Sequence, residues 1–261
     1  MPLKTINDLF LKKTHDTIVI YGSGPSINKL TNDDFKILNQ YNSMTFNMTC
    51  KTQIPVDIYI IGEILDHYYK SLDEPDNYDP NEANDIEKSK EDPESYFKLL
   101  NHKSYKDTFM VLWDTISIMK RKEIIYNNLP QDKIHLKTIC RGCSPNNYIN
   151  KNFYTPDNLR HSKVLLHQNV GLTSCIFLAK SMGYKKIIFS GVDLNNYEYA
   201  FNRNYFREHL IREKVDTCHR SWKHVFSFIN YLKNDIQFEV YNSDSKLTEI
   251  IPVFDKNSIN N

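Results

Sequence analysis

Short runs of apolar, largely β-branched residues recur along the chain, each closed by a turn signal. The first, Thr17-Ile18-Val19-Ile20-Tyr21, is continuous rather than alternating, and so suits a strand buried on both faces. Similar runs predict strands at Ser43–Asn47, Asp57–Ile61, Thr108–Trp113, Ile134–Thr138, Lys186–Ser190 and Gln237–Tyr241. Between them the spacing changes to that of a helix. Leu172, Cys175, Ile176, Ala179 and Met182 form one apolar face, which predicts a helix over Leu172–Met182 with Gly183 as the residue that ends it. Trp222, Val225, Phe226, Ile229 and Leu232 predict a second helix over His219–Lys233.

Strands alternating with helices imply a mostly parallel sheet with helices on both faces. In such sheets ligands bind beyond the carboxyl ends of the strands. Four segments directly follow a predicted strand: Gly22–Ser26, Asn47, Gly62–Glu63 and Gly191–Asn195. Two stretches depart from the pattern. Asp73–Glu94 carries ten acidic residues against two lysines and reads as a solvated surface insertion. Asn195–Asp216, rich in Tyr, Asn, Arg and Glu, lies between a strand end and the second helix, which predicts a lid over residues 195–218. The chain, 1–261, otherwise reads as a single domain.

Composition removes several classes. Lys+Arg 33 against Asp+Glu 32 leaves a net charge of +1, which gives no electrostatic ground for a nucleic-acid partner. Hydrophobic residues at 40% and charged residues at 25% fall in the globular range. No apolar run reaches the ~18 residues of a membrane span. Met1–Lys13 has no apolar stretch of a secretory signal, so a cytoplasmic location is expected. The five cysteines, Cys50, Cys140, Cys143, Cys175 and Cys218, are odd in number and scattered, which points to reduced thiols. Cys140-Arg-Gly-Cys143 lacks the two further ligands of a zinc site, and no metal ligands are assigned.

The candidate chemistry sits at strand ends. Gly22-Ser23-Gly24-Pro25-Ser26 lets a backbone approach a phosphate or sugar, with Ser hydroxyls and free N–H groups as anion donors; it also reads as a plain turn. Thr173 and Ser174 open a helix, either as its cap or as hydroxyls aimed at a phosphate or base. Asp193 can meet a ribose, a metal or a capping N–H, without the DxD pair of a metal-bridged nucleotide site. Nine histidines are present. His219, at the start of the second helix, is suited to a neutral, accepting imidazole because the helix dipole disfavours its cation. His224 follows at i+5, which is not the i, i+4 spacing of a metal pair.

Taken in order, Ile18–Ser26, Asn47, Thr173-Ser174-Cys175, Gly183–Asp193, Tyr199-Ala200-Phe201, His219 and Val240–Leu247 resemble the bacterial lipooligosaccharide sialyltransferases, glycosyltransferase family 42. The resemblance covers roughly residues 17–72 and 163–250. It implies a Rossmann-like α/β domain of GT-A type with a lid, and an inverting transfer from a CMP-activated acid sugar that needs no metal or other cofactor. The acceptor implied is a glycan or glycolipid of the lipopolysaccharide or capsule kind, with peripheral contact at the inner membrane and a homo-oligomeric state. Gly22, Ser23, Gly24 and Ser26 match the loop that holds cytidine monophosphate. Asn47, Thr173, Ser174, Asp193 and Asn195 fall at donor-site positions. Tyr199 matches the lid tyrosine that bonds the leaving phosphate, and His219 the base that deprotonates the acceptor hydroxyl.

The chain also departs from that pattern. Ser23 and Gly62 stand where the family has Asn, Gly171 where it has Arg, and Asn195 where it has a second phosphate tyrosine, with Tyr197 nearby. His219 aligns across a one-residue gap. Kdo, pseudaminate and legionaminate donors therefore stay open beside sialic acid. A Mg²⁺-dependent pyrophosphokinase-like enzyme and a non-catalytic binding protein are the alternatives.

Overall fold

The computed structural model describes residues 4–62, 65, 68–69, 73, 93–140, 154–167, 171–194 and 222–256. Among them are eight strands: β1 (Thr17–Tyr21), β2 (Asn42–Phe46), β3 (Ile58–Ile61), β4 (Phe109–Asp114), β5 (Lys133–Cys140), β6 (Val164–His167), β7 (Lys186–Ser190) and β8 (Gln237–Val240). They form one sheet in the order β6-β5-β4-β3-β2-β1-β7-β8, and all seven pairings are parallel. The α/β sheet expected from the alternating runs is thus present, and parallel throughout. From β1 the chain steps outward strand by strand to β6, then returns to the other side of β1 for β7 and β8. The order reverses between β1 and β7, and that is where such sheets open a crevice for ligands.

Register explains the apolar runs. Ile20 lies level with Met44, Phe46 with Ile60, Ile60 with Val111, Trp113 with Leu136, and Thr138 with Leu165. With side chains alternating at period two, these residues share one face, and His167 ends it on β6. The Gly171–Ser181 helix covers that face at Phe46 and His167. The Trp222–Leu232 helix packs on its other side. Tyr154 bridges the two, with ring centroids 5.0 Å from Phe177 and 6.2 Å from Phe228. A helix covered on both sides has no use for a polar face, and all of Gly171–Ser181 except Lys180 is buried. Its end is the one expected: Gly183 has φ +81°, its N–H reaches the Lys180 carbonyl at 3.0 Å, and the Tyr184 N–H reaches that of Ala179 at 3.1 Å. This is a Schellman closure.

One expectation changes, and two others fall partly outside the described residues. β6 was not among the predicted strands; Val-Leu-Leu-His is too short for a periodicity to register, and only pairing to β5 makes it a strand. The acidic run does not begin as a free surface segment. Asp73 accepts from both Arg121 nitrogens, at 2.6 and 3.1 Å, and Arg121 lies over the Tyr69 ring. That hydrogen-bonded pairing holds the Asp73 carboxyl down at about 2. At the other end of the run, Pro93 and Glu94 open the Pro93–Leu100 helix, while residues 74–92 lie outside the described residues. The second helix is described over Trp222–Leu232, within the predicted span, and residues 195–221, which include the expected lid and His219, lie outside the described residues. Cys50 and Cys175 are buried cysteines that form no disulfide among the described residues. Among the described residues no helix is long and apolar enough to cross a membrane.

Asp34 ties the C-terminal segment to the sheet. It caps its own helix, Asn32–Leu38, through the Thr31 N–H and hydroxyl, both at 2.8 Å, and accepts from Tyr241 Oη and Lys256 Nζ, both at 2.6 Å. Burial acts to raise this carboxyl, but the bonds from Lys256, Tyr241 and Thr31 outweigh it and hold the group below the usual carboxylate range. A depressed carboxyl contributes stability above the unfolded value, near pH 4, and loses it as pH falls through the folded value. Asp34→Asn is therefore expected to lower the urea midpoint at pH 7, and the gap to the unsubstituted protein should narrow steadily below about pH 4. A gap that stays constant with pH would show that the charge at Asp34 contributes nothing.

Candidate functional site

The ends of β1 and β7 meet without a side chain between them. The Gly22 N–H donates to the Ser190 carbonyl at 2.8 Å, and the Gly24 N–H to that of Gly191 at 2.7 Å. Gly191 has φ +68°, the left-handed region that glycine occupies freely. A Cβ on Gly24 would stand 2.5 Å from Asp193 Oδ2 and 2.8 Å from the Gly191 carbonyl oxygen, so only glycine fits. Asp193 is buried, and both its oxygens are taken by Ser26. The Ser26 N–H reaches Oδ2 at 2.9 Å, and the Ser26 hydroxyl bonds Oδ1. The carboxylate thus fixes the start of the Pro25–Lys29 turn.

The segment after β8 closes the same joint. Ser245 Oγ donates to the Val192 carbonyl at 2.5 Å, the Lys246 N–H to that of Asp193 at 2.8 Å, and Asn242 Oδ1 accepts from Gly191 N–H at 3.3 Å. Lys29, the first basic residue after the loop, pairs with Asp244 at the surface. That pairing raises the Lys29 ammonium above its ordinary value and lowers the Asp244 carboxyl.

This corrects part of the sequence reading. The N–H groups of Gly22, Gly24 and Ser26 are all donated within the protein, so they build no anion cradle. The loop presents Ser23, which is half-buried, at the rim. Of the roles open to Asp193, the one the contacts display is structural.

The neighbouring strand ends supply the rest of the rim. Asn47 follows β2 with φ +49°, against the start of the Gly171–Ser181 helix. Thr173 and Ser174 are buried in that helix as its third and fourth residues, so neither is its N-cap. Ser174 Oγ lies 3.1 Å from His167 Nδ1 at the end of β6, and the His167 ring stands 4.7 Å from that of Trp113 at the end of β4. His167 and Trp113 were not singled out in the sequence. The usable signal was position alone, since each stands at the carboxyl end of a strand. Asn195, Tyr199 and His219 lie outside the described residues. Among the described residues no cluster of three or more His, Cys, Asp or Glu side chains is disposed to hold a metal ion.

Two departures from the family pattern are filled by neighbours. A side chain on Gly62 would collide with the Trp113 indole. One on Gly171 would begin 2.6 Å from Phe46 Cδ2 and 2.8 Å from Asn47 Nδ2.

No protein-family model matches the chain, and no curated protein matches it. Among solved structures it is similar to the monofunctional alpha-2,3-sialyltransferase Cst-I from Campylobacter jejuni, at 14% identity over 97% of this chain and 82% of that one, with a TM-score of 0.50. A tyrosine-to-phenylalanine variant of the sialyltransferase Cst-II in complex with CMP also matches. It shows 13% identity over 91% of this chain and 85% of that one, with a TM-score of 0.49. The likeness to Cst-I establishes a shared fold.

Gly24→Ala is expected to destabilise the protein by about 1–3 kcal/mol in urea unfolding, because the methyl must force the two loops apart. Ser23→Ala, one residue away, should stay within about 0.5 kcal/mol. Equal losses for the two would refute the close contact.

Proposed function

We propose that the protein is an inverting glycosyltransferase that moves sialic acid, or a related nonulosonate or Kdo sugar, from a CMP donor to a hydroxyl of a cell-surface glycan. One observation carries this reading: three of the segments that resemble the sialyltransferase pattern follow the adjacent strands β2, β1 and β7 at the carboxyl edge of one parallel sheet. Gly22–Ser26 and Gly191–Asp193 meet at the reversal between β1 and β7, Asn47 follows the adjacent β2 and packs against Gly171, and Thr173–Ser174 lie farther along the helix that contains Gly171, with Ser174 beside His167 on β6. The fold shared with an alpha-2,3-sialyltransferase supports it further.

In the proposed reaction the acceptor oxygen forms a bond to the anomeric carbon as that carbon's bond to the CMP phosphate oxygen breaks. His219 takes the acceptor proton. The electron pair leaves on the CMP phosphate, where the Tyr199 hydroxyl stabilises the developing charge. Ser23, Asn47 and the Thr173–Ser174 pair are assigned to donor binding, with Asn195 beside them. The residues 195–218 are assigned the role of a lid, which keeps water from hydrolysing the donor. A glycolipid acceptor would bring the protein to a membrane surface peripherally.

Calorimetric titration should show CMP binding that survives EDTA and is selective over UMP, GDP and ATP. His219→Ala should cut transfer by about 10²–10⁴-fold while leaving CMP affinity nearly unchanged. Tyr199→Phe should lower kcat rather than CMP affinity, by on the order of tenfold or more. A Mg²⁺-dependent triphosphate response, or no CMP response, would overturn the proposal.

A further inference from the structure

The Asn47–Thr52 turn that follows β2 is held from below by three buried phenols. Tyr59, on β3, donates its hydroxyl to the Asn47 carbonyl, and Tyr96, on the Pro93–Leu100 helix, donates to the same oxygen at 3.3 Å. The Tyr59 oxygen also accepts the Cys50 N–H at 2.8 Å. Tyr105 donates to the Cys50 carbonyl at 3.3 Å and meets Tyr59 edge-on, with ring centroids 5.5 Å apart. The three rings are 0%, 1% and 0% exposed for Tyr59, Tyr96 and Tyr105. A buried hydroxyl usually finds a partner, but here all three converge on one six-residue turn.

A carbonyl oxygen has two lone pairs. With both directed to phenols, the peptide after Asn47 cannot rotate without breaking two buried hydrogen bonds. That is the peptide whose residue sits at φ +49°, a conformation costly for most side chains and easier for asparagine. The result appears on the other side of the residue, where Asn47 Nδ2 is packed so close to Gly171 that a Cβ there would stand 2.8 Å away.

We propose that Tyr59 and Tyr96 are positioning residues: by gripping the Asn47 carbonyl they lock residue 47 in its left-handed conformation and aim its carboxamide across the start of the Gly171–Ser181 helix, where it meets the donor. The last step rests on the donor-site reading of Asn47 given above. Neither tyrosine touches the donor.

The test separates the grip from the binding. In ligand-free protein selectively labelled with ¹⁵N-asparagine, the Asn47 side-chain NH₂ signal is assigned by its disappearance in Asn47→Gly. Glycine takes the positive φ without strain. The signal should move in Tyr96→Phe and in Tyr59→Phe. An unmoved signal in both variants overturns the proposal, whether or not the protein binds CMP. In CMP titrations, Asn47→Gly should weaken binding about tenfold, as expected for one lost hydrogen bond. Tyr96→Phe should weaken it three- to tenfold, and should add nothing in the Asn47→Gly background. Losses that multiply in the double variant overturn the proposal. So does a Tyr96→Phe protein with a lowered melting temperature and unchanged CMP affinity. A moved NH₂ signal with no CMP binding by the unsubstituted protein keeps the grip and removes the donor reading instead.

Discussion

The rim depends on one joint, the side-chain-free contact between the ends of β1 and β7. Both strands are buried in the middle of a parallel sheet, so their backbones must stay paired to the last residue. The glycines extend that pairing beyond the strands, and Asp193 completes it by fixing Ser26. A buried carboxylate is tolerated where hydrogen-bond donors replace its water, and Ser26 supplies two. The segment after β8 then packs on the joint through Asn242, Ser245 and Lys246. What looks in sequence like a binding loop is here first a fastening, and the positions around it take their geometry from it.

Much of this was legible in the chain. Continuous runs such as Ile18–Tyr21 and Ile187–Phe189 have the character that double-sided burial requires, and they became neighbouring central strands. Gly183 signalled its own positive φ. The rim segments were found because each follows a strand. What stayed hidden was whatever depends on partners distant in sequence. The destination of the Gly22 and Gly24 N–H groups is set by residues near position 190. Val164–His167 is a strand only because β5 lies beside it. Ser174 read as a capping hydroxyl until the helix start at Gly171 put it inside the first turns, facing His167.

The two faces of the sheet divide the work. The face under the Gly171–Ser181 helix is mostly apolar, and at its rim His167 lies between Ser174 and the Trp113 ring. The opposite face carries Tyr59, whose hydroxyl turns toward the backbone of the Asn47–Thr52 turn. Buried polar atoms thus gather near the strand ends, where they order backbone that no strand pairing holds.

The filling of Gly62 by Trp113 has an evolutionary consequence. The two residues share one volume across neighbouring strands, so neither can change alone. A sequence that places a polar side chain at 62 must first give up the indole at 113, and passes through either a cavity or a clash. Residue size at these two positions should therefore trade off among related sequences. This pair, rather than any single residue, would mark a branch that has remodelled this part of its rim.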